Sequence, residues 1–131
     1  MAKREFAYRG KTLEELQAMS LNDVAALLPS RQRRKVKRGF TDEEKKFAEK
    51  IKVKNNVKTH LRHMIVLPYM VGKTVRIHTG KEFQSITLQE DMIGYYLGEL
   101  ALTRKRIMHS APGVGATKAA STGTGAASTV K

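Results

Sequence analysis

The densest chemical signal in the chain is a run of cations. Arg31, Arg33, Arg34, Lys35, Lys37 and Arg38 fill six of eight consecutive positions. Guanidinium and ammonium groups at that density neutralise phosphates, which holds a protein on nucleic acid without reading its sequence. On a helix these cations surround the axis instead of forming one amphipathic face. A solvated helix is the plain alternative, but nearby acids are too few to neutralise the run, so phosphate contact is favoured. His60 and His63 stand three apart, a spacing that invites a metal. No Asp, Glu or third His lies beside them, Arg62 between them opposes a cation, and His78 and His109 are distant. Hydrogen bonding to backbone or RNA suits these imidazoles better than a metal.

The remaining chemistry is sparse. Glu82, Glu90, Asp91 and Glu99 are the carboxylates of the central region. Glu90 and Asp91 fit a helix N-terminus, and Glu99 is placed to pair with a core arginine. No Ser/His/Asp arrangement emerges, so an enzyme is not indicated. Residues 113–118 resemble a phosphate loop superficially. Their lysine does not follow a second glycine at Walker spacing, and neither flank is right. An extended backbone with Lys118 threading near nucleic acid fits better. Of Tyr95 and Tyr96, one can stack on a base while the other enters the core.

Local signals define the elements that carry these residues. Thr12-Leu13-Glu14-Glu15 and Thr41-Asp42-Glu43-Glu44 are capping boxes, and Ser20 is a further N-cap. Pro29 ends the second helix, Ser30 is placed to cap the basic segment, and Gly39 to stop it. Phe47 and Ile51 make the apolar stripe of the next helix, which Asn55-Asn56 breaks. Met64 to Leu67 reads as a buried strand, and residues 68–72 as a turn or a single helical turn. Residues 74–78 alternate, with Val75 and Ile77 inward and Arg76 and His78 on a ligand-facing or solvated side. Thr79-Gly80 is read as a two-residue hairpin connection to a return strand over 83–88. A short helix over 89–94 and a segment over 95–100 pack back toward this sheet. Arg104, Lys105 and Arg106 close the region.

The expected class is therefore α+β: a small mixed sheet with short helices, a basic helical N-terminal extension and a flexible C-terminal tail. The divisions fall at 1–58, 59–109 and 110–131. The first holds 16 basic and 8 acidic residues out of 25 and 12 in the chain, so most of the +13 charge lies there. That surplus opposes compaction and favours a polyanion. Residues 110–131 carry four glycines and no acid, too little apolar surface to offset chain entropy. The absence of cysteine removes disulfides and thiolate metal sites. No apolar run reaches the ~20 residues of a membrane span, and the N-terminus has no signal-peptide core, so a cytoplasmic location and no membrane partner are expected.

Several ordered blocks then carry a resemblance. Residues 59–68 (Thr-His-Leu-Arg-His-Met-Ile-Val-Leu-Pro), Met70-Val71-Gly72, Gly80-Lys81-Glu82-Phe83, residues 92–99, Leu102-Thr103-Arg104 and residues 111–117 are similar to the universal small-subunit ribosomal protein S-nineteen family, called S-fifteen in eukaryotes. Phe6 to Gly10 and Ser30 to Arg34 resemble its archaeal and eukaryotic branch, which has a helical extension. The resemblance implies a non-enzymatic α+β protein of the small-subunit head that binds small-subunit ribosomal RNA and supports translation. It implies a neighbour in the S-thirteen family protein and a tail reaching toward transfer RNA at the decoding region. No cofactor and no homo-oligomer are implied. The family's RNA-contacting positions match Arg62, Lys81, Arg104, Lys105 and Arg106, with the run from Arg31 to Arg38 added by the extension. Tyr69 stands where this branch usually has Glu, Tyr95 where it has His, and Thr79 where it has Asn. The competing reading is a free-standing nucleic-acid-binding or chromatin protein whose basic helix docks on duplex DNA.

Overall fold

Each of the first helices starts where a side chain can satisfy its free amides. A computed structural model describes residues 6–106, and in it Thr12 caps α1 (Leu13–Ala18) reciprocally with Glu15. Ser20 caps α2 (Leu21–Leu27), and Thr41 caps α4 (Asp42–Val53) reciprocally with Glu44. The basic helix α3 (Ser30–Arg38) differs from expectation at its start. Ser30 is already its first helical residue, and Pro29 holds the cap position with no side-chain bond. Gly39 ends it at φ +91°, a backbone region that a Cβ disfavours.

The sheet has three strands in the order β1 (Val57–Thr59), β2 (Thr74–His78), β3 (Phe83–Thr87). β1 runs parallel to β2 with Val57 beside Val75, and β2 runs antiparallel to β3 with His78 beside Phe83. Sheet period then puts Val57, Val75 and Ile86 on one face, and Lys58, Arg76 and Ser85 on the other. The hairpin is one position off the expected turn. Thr79 N–H donates to the Glu82 carbonyl at 2.9 Å, so the tight turn is Gly80-Lys81, with Gly80 at φ +104°.

Met64 to Leu67 is fully buried as expected, but it is not a strand. Its backbone pairs irregularly with residues 94–98: Val66 N–H to Tyr95 O at 2.8 Å, Gly94 N–H to Val66 O at 3.0 Å, and Leu97 N–H to Met64 O at 2.9 Å. Regular pairing cannot extend, because Gly94 takes φ +86° and the chain turns into the short helix α5 (Leu97–Leu100). The segments over 68–72 and 89–94 contribute single 3-10 turns, Pro68–Met70 and Glu90–Met92.

One apolar cluster joins Phe47 and Ile51 of α4 to Met64, Leu67, Met70, Val75, Ile77, Leu88 and Leu97. A smaller one joins Ala25, Leu28, Val36 and Ile65, and Phe40 touches both. Val36, the one apolar residue of the basic helix, packs α3 onto this smaller cluster. No helix among the described residues is long and apolar enough to cross a membrane.

Candidate nucleic-acid interface

Because Val36 faces inward, the cations of α3 are sorted by face. Arg31, Arg34, Lys35 and Arg38 follow i, i+3, i+4, i+7 spacing, about a third of the helix circumference. Together with Ser30 they line one wall of an open cleft of about 1150 Å³, completed by Gly39, Thr41, Glu44, His63, Tyr96 and Glu99. The run is thus not the evenly surrounded rod expected from its composition. Arg31, Arg34 and Arg38 are exposed, and none of the three forms an ion pair among the described residues. Lys37 is exposed outside the cleft.

Two members of the run work inside the protein. The Arg33 guanidinium turns inward, donating to the Leu28 carbonyl at 3.0 Å, while its Nε is buried with no hydrogen-bond partner among the described residues. This cross-link holds α3 against the end of α2. The Lys35 ammonium donates to Glu44 and to the His63 carbonyl, and lies 5.9 Å from the centre of the Tyr96 ring.

Glu44 is the buried anion of the cleft floor, 1% exposed. Its carboxylate accepts from Lys35, from the Thr41 amide at 2.9 Å and sits 3.3 Å from His63 Nε2. Burial is the largest single influence and opposes the charge. The hydrogen bonds from Lys35 and Thr41, with the charges of Lys35 and His63, together outweigh it and hold the carboxyl below its usual range. Glu44 therefore absorbs Lys35, and the three arginines on the rim stay available to an outside anion. Among the described residues Glu99 does not pair with an arginine. It accepts from the Tyr96 amide at 2.9 Å and caps α5.

The remaining candidates separate into three groups. Arg62 is half-buried and acts as a strut: Nη1 donates to His78 O at 2.8 Å, and Nη2 to Gly98 O at 2.7 Å and Ala101 O at 2.5 Å. Gly98 leaves room for it: a Cβ there would lie 3.0 Å from the Arg62 Cβ and carbonyl oxygen, so the strut would have to shift. With three of its five N–H donors given to these carbonyls, Arg62 ties the sheet to α5. Arg76 and His78 lie on the sheet face away from the core, with Arg76 Nε donating to Asn56 Oδ1 at 2.7 Å. His78 Nδ1 accepts from the Gly80 amide at 3.1 Å.

Lys81, at the hairpin tip, and Arg104, Lys105 and Arg106 are exposed. Lys105 pairs with Glu82, whose carboxyl that hydrogen bond holds below its ordinary value. Tyr95 is 52% exposed, whereas Tyr96 packs on the smaller core cluster. Tyr69 is partly buried, which pushes its phenol up to about 12. His109, Lys118 and the tail lie outside the described residues.

Sequence reasoning singles out neither Lys58 nor Asn56 as a site residue, and it gives Glu44 only its capping role. Capping is local and legible, but the partners of these residues come from distant elements. Among the described residues no group of three or more His, Asp or Glu is placed to hold a metal.

A family model for ribosomal protein S19 matches residues 32–109, more than half of the 131 residues. The chain belongs to the ribosomal protein S19 family. It is a small-subunit ribosomal protein, a component of a ribonucleoprotein and of translation. Proteins of this family are generally structural, and their partners are ribosomal RNA and other ribosomal proteins. The matched span begins within α3 and takes in α4, all three strands and α5, so the cleft and the Arg62 strut both fall in it, save for Ser30 and Arg31 on the cleft wall.

Proposed function

We propose that this protein is a structural constituent of the small-subunit head and holds ribosomal RNA mainly through the α3 cleft. One observation carries the reading: three exposed arginines share a wall whose buried carboxylate is already neutralised by Lys35. An open cleft with unneutralised guanidiniums suits a phosphate backbone passing through it, recognised by shape and charge. Lys81, Arg104 and Arg106 add cations at the hairpin tip and after α5, and Tyr95 offers an exposed ring. Arg33 and Arg62 serve this surface by keeping its supports in place. In this reading α1 and α2 belong to an archaeal or eukaryotic type of extension. The S-thirteen family protein is the neighbour, and the tail with Lys118 approaches transfer RNA.

The lack of cysteine allows a direct test. An iron chelate tethered at Arg38→Cys in reconstituted small subunits should cleave head ribosomal RNA strongly. The same chelate at Lys45→Cys, which lines a separate groove between α1 and α4, should cleave weakly. Equal or absent cleavage from position 38 would remove the cleft from the RNA interface.

A further inference from the structure

The sheet face turned away from the core carries a second arrangement that the cleft does not use. His60, His78 and Phe83 form a cluster of rings there. The two imidazoles are 4.4 Å apart at 34°, and Phe83 meets them edge-on at 5.2 and 4.8 Å. Phe83 faces outward because it pairs with His78 in the hairpin register, and His60 is the exposed member. The Lys58 ammonium lies 5.4 Å from the Phe83 ring centre. Arg76 is anchored through Nε alone, which leaves the far end of its guanidinium without a hydrogen bond among the described residues. Glu82, the acid of this end of the hairpin, is neutralised by Lys105.

Flat rings flanked by uncompensated cations have the composition of a single-strand stacking platform, in which a base lies on a ring and adjacent phosphates meet the charges. We propose that this face binds an unpaired nucleotide of RNA, its base stacked on His60 and its flanking phosphates on Lys58 and Arg76. The site rests on the reading of the protein as RNA-binding, and differs from the cleft in taking a base as well as phosphates. His78 is a positioning residue: its Nδ1 is tied to the Gly80 amide, which sets the ring against which His60 lies.

The test uses the full chain with two probes, a short single-stranded RNA containing 2-aminopurine and a blunt RNA duplex. Stacking should quench the 2-aminopurine emission. His60→Ala should abolish the quench and weaken single-strand binding about tenfold, leaving duplex binding unchanged. His60→Phe should retain both. The triple variant R31Q/R34Q/R38Q should show the opposite pattern, losing duplex binding and keeping the quench. Unchanged single-strand binding in His60→Ala would overturn the platform while leaving the cleft intact. Equal losses in His60→Ala and His60→Phe would overturn stacking. A wild-type chain that binds neither probe would instead contradict the RNA-binding reading itself.

Discussion

Arginine does opposite work in two regions of this molecule. On the outer wall of α3, Arg31, Arg34 and Arg38 stand exposed with no ion pair among the described residues. At the end of β2, Arg62 gives three of its N–H donors to backbone carbonyls. The residue type and its charge are the same. The difference is whether nearby backbone oxygens need donors: residues 98–101 present carbonyls that an internal donor must satisfy, whereas the wall of α3 faces solvent. A basic composition is therefore not a map of an interface, because part of the cationic charge serves as internal fastening.

The largest effect is expected at Arg62. Arg62→Ala removes donors from three carbonyls in a half-buried site and should destabilise the fold by roughly 4 kcal/mol, read from urea unfolding. A change under ~1 kcal/mol would mean that the strut contributes little to stability. Next is Glu44→Gln, which leaves Lys35 facing an uncharged partner and should cost about 3 kcal/mol near neutral pH. The sign of its pH dependence follows from the lowered carboxyl. The stabilisation is complete above the unfolded value of about 4.3 and is lost as pH falls through the lower folded value. Wild type should thus lose stability through that acid window more steeply than Glu44→Gln, and parallel acid unfolding curves would contradict the pairing. The smallest effect on stability belongs to R31Q/R34Q/R38Q, expected within about 0.5 kcal/mol of wild type, as thermal unfolding would show.

Much of the architecture is legible where its cause is local. Thr12, Ser20 and Thr41 declare their helices because an N-cap bonds amides two or three residues on. The alternation of Val75 and Ile77 with Arg76 and His78 is a consequence of strand period alone. Expectation and structure part where a distant partner decides the outcome. Met64 to Leu67 has a strand's composition, yet its neighbour carries Gly94 at positive φ and starts a helix at Leu97, so the ladder stays irregular. β1 has no signal of its own, since Val57 to Thr59 becomes a strand only by pairing with β2, beyond a long crossover. The hairpin turn sits one residue further on because the Thr79–Glu82 bonds close the loop around Gly80-Lys81.

The candidate site divides in the same way. The sequence locates the run of cations, but which of them face outward depends on Val36 and on partners elsewhere. Leu28 claims Arg33, and Glu44 with the His63 carbonyl claims Lys35. None of these bonds has a signature in the run itself. Family resemblance points to Arg62 as an RNA-binding residue, and the positions of the His78, Gly98 and Ala101 carbonyls give its guanidinium a structural role that resemblance alone does not reveal.

The most direct test of the central claim is the salt dependence of binding to a small-subunit RNA fragment, wild type against R31Q/R34Q/R38Q. Removing one phosphate-binding arginine should lower the slope of log affinity against log salt by somewhat under one. The triple variant, with its fold intact, should show a slope smaller by about two to three. An unchanged slope, with the triple variant properly folded, would contradict it and place the RNA on another face of the protein.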